Sequence, residues 1–281
     1  MRDFFYGWYM KCQSETQTLA VIPAIHQTGK KTTCSIQIIT DDGVWTATFP
    51  SKAFHRTNQE IYIGKNRFAR DGIYFNMKTP KLTVKGQLRF GSLSPIIYDI
   101  MGPFALVPFM ECRHSVWSMQ HSVRGTVSVN DQNYIFQNGT GYWEGDRGRS
   151  FPKVYAWTQC FFKAGSLMLS VADIPIAGIH FTGIIGIVLW KNHEYRLATY
   201  LGAKAVKIEN GILQITQGDM ELEAQLLKRT GHPLMAPDKG NMTRTIHESA
   251  SCEASYRFRK GGRNLFAFKT DSASFEYEYP F

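Results

Sequence analysis

Glu144 and Asp146 stand two residues apart inside Gly141-Tyr142-Trp143-Glu144-Gly145-Asp146-Arg147-Gly148-Arg149-Ser150-Phe151-Pro152. In an extended chain alternate residues share a face, so both carboxyls can address one reacting group. Tyr142, Trp143 and, a little later, Trp157 lie around them in sequence; Arg147 and Arg149 follow directly. A carboxyl buried among aromatic rings is favoured in its neutral, proton-donating form, and one beside an arginine is favoured ionised. Two carboxyls divided in this way separate an acid from a base. Aromatic faces also stabilise a developing cation. The combination suits protonation of an alkene followed by ring closure. The competing use of the same residues is a buried ion pair that joins two domains.

Cys112, His114 and His121 form the next chemically capable group. Cys112 and His114 share a face if their segment is extended. A second ligand pair at familiar zinc spacing is missing, so no metal is expected. His114 then serves as a pocket acid/base or as a hydrogen-bonded core histidine. The chain has no G-x-S-x-G elbow, no G-x-x-x-x-G-K-[ST] loop and no dinucleotide fingerprint. A serine elbow and a nucleotide cofactor are therefore not expected.

The elements that must position these groups read as strands. Thr83–Phe90, Gly125–Val129, Leu213–Thr216 and Met220–Leu226 alternate apolar and polar residues between turn signals, the pattern of antiparallel β-structure. Aromatics make up 14% of the chain, which favours strands again. Gly145, Gly148 and Pro152 predict that Asp146-Arg147 sits on a loop between two strands. The run Ile174–Trp190, the most apolar, contains Pro175, His180 and several glycines and reads as strands rather than a membrane span. Ser92–Met110, punctuated by three prolines, breaks the alternation; a lid or a plug at a barrel end would account for it, and the plug is favoured.

The two halves of the chain resemble each other. Gly7-Trp8 before Cys12 compares with Ala156-Trp157 before Cys160, Leu19–Ala24 with Leu169–Ala177, and Thr46–Phe49 with Leu197–Tyr200. Asp71-Gly72-Ile73 compares with Asn210-Gly211-Ile212, and Gly141–Glu144 with Ser274–Tyr277. Matches in one order imply tandem duplication of an all-β unit. The expected domains are residues 1–150 and 151–281, each an antiparallel β-barrel or curled β-sandwich of about eight strands, large enough for one small apolar ligand. The stretch 141–160 falls at the junction, where ligand sites are favoured.

A formal net charge of +9 allows attraction to nucleic acid or to an anionic membrane surface. The basic residues are scattered, however, with clusters only at Lys30-Lys31 and Arg257–Arg263, and no nucleic-acid-binding signature stands out. No nucleic-acid partner is expected; peripheral contact with a membrane is allowed. Five cysteines without a CxxC pair imply no disulfide framework and fit a reducing, cytoplasmic location.

At its centre the chain resembles the tocopherol cyclase-like family. The shared pattern is Tyr142, Glu144, Gly148, Phe151-Pro152, Trp157 and Gln159, with Gly7-Trp8-Tyr9, Lys11, Ile22-Pro23 and Arg244-x-Ile246-x-Glu248 on either side. Between the Glu and the Gly this chain has Gly145-Asp146-Arg147, where the enzymes carry Lys-Asn-Trp. A more distant similarity is to lipocalin-like tandem proteins such as carotenoid hydratases. Both resemblances imply two lipocalin-like domains. The first implies cofactor-independent closure of a prenylated hydroquinone to a chromanol. An acid protonates the prenyl double bond and the phenol oxygen captures the tertiary cation. Carried over, Glu144 is the acid, with Asp146 as the second candidate. Tyr142 and Trp157 would line the pocket, Gln159 would orient the phenol oxygen, and Arg244 and Glu248 would come from the second domain. Beside these carried-over residues, Trp8, Arg147 and His114 are further substrate-binding candidates of this chain's own.

The expectation is thus a cyclase or isomerase of a hydrophobic, quinol-like substrate. Its rival is a non-catalytic carrier or sensor of such a molecule. An enzyme needs Glu144 or Asp146 facing the pocket and free of a tight arginine pair; a carrier would have both carboxyls locked to Arg147, Arg149 or Arg244.

Overall fold

A computed structural model describes residues 3–57, 59–107, 110–176, 179–228 and 232–280; the side chains of residues 176, 179, 241, 248 and 249 lie outside the described set. The first sheet contains β1 (Phe4–Gln13), β2 (Thr18–Thr28), β3 (Lys31–Thr40), β4 (Gly43–Pro50), β5 (Phe54–Arg56), β6 (Glu60–Ile63), β7 (Asn66–Ala69), β8 (Gly72–Lys78), β9 (Thr83–Phe90), β10 (Cys112–Val129) and β11 (Gln132–Gly148). Their spatial order is β4-β3-β2-β1-β11-β10-β9-β8-β7-β6-β5. The second sheet contains β12 (Tyr155–Phe162), β13 (Gly165–Ile176), β14 (Ile179–Trp190), β15 (His193–Ala198), β16 (Lys204–Glu209), β17 (Ile212–Gln217), β18 (Met220–Leu226), β19 (His232–Asp238), β20 (Asn241–Lys260) and β21 (Arg263–Tyr277). Its order is β15-β14-β13-β12-β21-β20-β18-β17-β16, with β19 paired to β20 off this path.

The protein is all-β, built from two tandem lipocalin-like antiparallel domains. In both sheets the first strand of the copy pairs with its last: β1 with β11, and β12 with β21. The sheets curl. β3 meets β6 from the far side of the first sheet, and β14 and β15 meet β16 and β17 in the second. Curling gives each sheet one inner face. In the first, Trp8, Met10, Ile36, Phe68, Phe75, Leu88 and Trp143 pack together there; in the second, Ala156, Leu169, Val188, Leu222, Phe258 and Phe275 do. Tight hairpins at Asn130-Asp131 and Lys191-Asn192 have both central residues at positive φ, matching the twist of the strands they join.

The chain forms two compact units. One comprises residues 1–96, 110–151 and 235–245; the other comprises 97–109, 152–234 and 246–281. Each unit is therefore discontinuous, and the border between β11 and β12 is where one sheet ends and the other begins.

Asp146-Arg147 does not sit on a loop. β11 continues through both residues to Gly148, paired on one side with β1 and on the other with β10. The glycines serve close approach instead. A Cβ on Gly145 would stand 2.5 Å from the Trp117 ring and 2.6 Å from the Gly7 carbonyl oxygen, and one on Gly148 would stand 2.0 Å from the Glu111 carbonyl oxygen.

Of the segment 92–110, expected to lid or plug a barrel, residues 97–107 count with the second unit, 92–96 and 110 with the first, and 108–109 lie outside the described residues; the second-unit part is anchored through its backbone. The Arg196 guanidinium donates to the carbonyls of Tyr98 (2.9 Å) and Asp99 (3.1 Å), pairs with Glu194 at 2.9 Å and lies 3.6 Å over the Tyr98 ring. Ile100 and Met101 are buried, while Ile97 and Leu106 stay exposed. The basic cluster at Arg257–Arg263 is largely spent within the second sheet. Arg257 pairs with Glu223, Arg259 with Glu221, and Lys260 with Asp219. Among the described residues no helix is long and apolar enough to cross a membrane.

Candidate active site

β11 passes Tyr142, Glu144 and Asp146 along the face opposite the first domain's core, because its core-facing residues are Gly141, Trp143 and Gly145. Register then brings partners. On β10, His114 lies directly opposite Asp146 and Val116 opposite Glu144. On β1, Tyr9 lies opposite Glu144 and Lys11 opposite Tyr142. His114 is thus lateral to one carboxyl and diagonal to the other, within reach of both.

The imidazole bridges them. Nδ1 stands 3.0 Å from Asp146 Oδ1 and Nε2 stands 3.0 Å from Glu144 Oε2. The first contact is a directed hydrogen bond. In the second the ring N–H axis misses the oxygen, so the contact is ionic rather than directional. The Tyr142 hydroxyl donates to Glu144 Oε2 at 2.5 Å, and the Cys112 thiol donates to Asp146 Oδ1 at 3.3 Å. Tyr142, Glu144 and His114 are all buried.

Burial opposes charge on His114, but the Glu144 and Asp146 carboxylates outweigh it and hold its proton well above the usual histidine range. Burial, reinforced by the same carboxylates, pushes the Tyr142 hydroxyl and the Cys112 thiol well up, so both stay protonated as donors. The group therefore holds one mobile proton on a ring between two carboxylates. That is an acid and a base in contact. Cys112, kept as a thiol, is no nucleophile.

The ligand atoms of His114, Glu144 and Asp146 lie within 4.8 Å of one another, a spread that would suit a metal ion. Each carboxylate, however, meets a different ring nitrogen, and the two nitrogens point apart. One ion can take only one of them, so the arrangement describes a bridged imidazolium better than a coordination sphere.

The other residues singled out in sequence are distributed. Trp8 lies on the core face of β1, where its Nε1 donates to the Tyr6 hydroxyl at 2.7 Å and its ring packs 4.9 Å from Trp143 and 5.7 Å from Trp117. It faces away from Glu144. Arg147 is exposed on the strand face opposite Asp146, as its position one residue on requires, and Arg149 is exposed beyond the strand. Arg244 lies in the 235–245 segment of the first unit. Trp157 and Gln159 are buried on β12 of the second unit. The Glu248 side chain lies outside the described residues. His121, the third member of the cysteine–histidine group, bonds Ser118 Oγ at 3.0 Å and is separated from His114 by two register shifts in β10.

The duplication has a register that the sequence match missed by one residue. With Cys12 matched to Cys160, Trp143 (opposite Met10) corresponds to Phe275 (opposite Thr158), so Glu144 corresponds to Glu276 rather than to Tyr277. Tyr9 pairs with Glu144 and Trp157 with Glu276. Glu276 also takes a tyrosine hydroxyl, from Tyr155. The second Tyr–Glu pair was hidden because its tyrosine comes from a different strand.

No family model matches the chain, and no curated protein matches it in sequence. Solved structures do match in fold. A protein provisionally assigned as AttH from Nitrosomonas europaea aligns with a TM-score of 0.61 at 10% identity, covering 100% of this chain and 94% of that one. Kievitone hydratase from Nectria haematococca aligns at 0.58 with 8% identity, covering 99% and 89%. CghA bound to Sch210972 aligns at 0.62 with 10% identity, covering 99% and 89%. At such identities the likeness is one of architecture alone: the chain shares its tandem β fold with these proteins.

Proposed function

We propose that this protein is a cofactor-independent acid–base catalyst that cyclises or isomerises a small hydrophobic substrate, of the prenylated quinol type. The observation that carries this is the His114 imidazole held between Glu144 and Asp146. The cation between the two carboxylates is a histidine, which exchanges its proton; an arginine would not. Kievitone hydratase has the same architecture, so the architecture is compatible with small-molecule chemistry of this kind.

In this reading Asp146 fixes the ring through Nδ1, and Tyr142 fixes the Glu144 carboxylate. The proton carried by His114 Nε2, beside the Glu144 carboxylate, passes to the substrate double bond, leaving a tertiary cation. A substrate hydroxyl then attacks the cation, a C–O bond forms, and the hydroxyl proton returns to the same pair. Nothing is consumed, so the reaction is an isomerisation and needs no cofactor. General acid–base groups of this type contribute about 10²–10⁴-fold in rate.

The test uses a geranylgeranylated hydroquinone and chromatographic detection of the chromanol, which has the same mass. Glu144→Gln and His114→Asn should each lower turnover about 10²-fold or more while substrate binding, read by tryptophan fluorescence, persists. Full turnover in both variants would overturn the assignment. Wild-type protein that binds the substrate and returns it unchanged would make the protein a carrier.

A further inference from the structure

We propose that the face of the second sheet opposite its core carries a binding site for a neutral lactam or amide head group on a hydrophobic molecule, read by Gln159 and Ser166. Both residues are 0% exposed. Gln159 Oε1, Gln159 Nε2 and Ser166 Oγ have no hydrogen-bond partner. Buried polar side-chain atoms are nearly always paired, so three orphans together mark the place of a missing partner.

Register puts them side by side. Gln159 lies opposite Met168 and Phe161 lies opposite Ser166 in the β12–β13 ladder. Side chains of directly opposed residues share a face, so Gln159 and Ser166 are diagonal neighbours. Their surroundings are apolar. Met168 lies opposite Ile187 on β14, and both are fully buried outside the core cluster of that domain. On the other side Gln159 lies opposite Ser274, whose hydroxyl is spent on the Ala250 carbonyl.

The three orphans define what fits. Gln159 offers one donor and one acceptor on a single planar edge, and the matching edge is a cis-amide: N–H to Oε1, C=O from Nε2. The Ser166 hydroxyl can fill the carbonyl's second lone pair. A lactone lacks the donor and leaves Oε1 orphaned. A carboxylate lacks it too, and would meet Glu276, which shares this face at the position opposite Trp157. The site extends the function proposed above only by giving Gln159 a partner. It is read by binding alone, so it and the turnover test fail separately.

The experiment is calorimetric titration with 5-decylpyrrolidin-2-one and with the matching 5-decyl-γ-lactone. Wild-type protein should bind the lactam about tenfold or more tightly than the lactone, since a site built around a hydrogen bond rejects the analogue that lacks it. Gln159→Leu should abolish the preference. Ser166→Ala, a deletion too small to endanger the fold, should weaken lactam binding several-fold and spare the lactone. Equal affinity of the wild type for both probes, no binding of the lactam, or an unchanged preference in Ser166→Ala and a folded Gln159→Leu would overturn the assignment and leave a buried water as the partner of these atoms.

Discussion

Asp146 lies directly opposite His114 in the β10–β11 ladder, with Oδ1 of the one 3.0 Å from Nδ1 of the other. The pair is fixed by backbone hydrogen bonds on both strands rather than by loop conformation. A strand ladder holds side-chain origins more tightly than a loop does, which suits a group that must present one proton at one place.

The first expectation concerns pH. His114 holds its proton more tightly folded than unfolded, where its value is about 6.5. Its contribution to stability is therefore complete below that value and is lost as pH rises through the higher folded one. Urea midpoints measured upward from pH 6 should fall for the wild type. His114→Asn should start lower and fall less over the same window. Parallel curves would show that the ring is not the proton-linked group.

Two other histidines act in the opposite direction. Burial lowers His26 and His121 to about 4. Both are neutral when folded and take up a proton on unfolding, so they remove stability as pH falls from ~6.5 through 4, on the order of 3 kcal/mol each at the limit. His26→Gln and His121→Gln should each shift the acid-unfolding midpoint to lower pH. No shift in either variant would mean that these rings are already charged in the folded protein.

Gly145 tests the close approach at the site. A Cβ there would meet both the Trp117 ring and the Gly7 carbonyl, and the backbone atom cannot turn aside. Gly145→Ala should cost about 1–3 kcal/mol, read as a lower urea midpoint at unchanged slope. In Gly43→Ala the new methyl would meet only the Trp45 side chain, at 3.3 Å, and the loss should be smaller. A reversed ranking would refute the packing account.

Arg196 tests the strap over the second domain. Removing it leaves Glu194 buried without its partner and frees two carbonyls. Arg196→Ala should destabilise by about 3–5 kcal/mol. Arg196→Lys should keep the charge but lose the fork, so hydrogen exchange and limited proteolysis should rise first at residues 97–107. Protection there equal to the wild type would show that the segment is held by other contacts.

The all-β duplicated architecture was legible in the sequence because alternation is local. Each strand announces its buried side within a few residues. The same rule put Glu144 and Asp146 on one face, and Cys112 and His114 on one face. The turn at Asn210-Gly211 was legible because only certain residues accept positive φ there.

What the chain alone could not decide was register. Nothing near residue 146 says that His114 will lie opposite it, or that Glu111 and Trp117 will press against Gly148 and Gly145 and keep the segment extended. The halves of the chain were aligned one residue out at Glu276, and a one-residue slip reverses which side every group faces. Arg147, one residue past Asp146, faces the other side of β11 by alternation alone. Periodicity belongs to a single strand, whereas the meeting of an imidazole with two carboxylates belongs to the packing of strands far apart in sequence, and only the folded sheet supplies that.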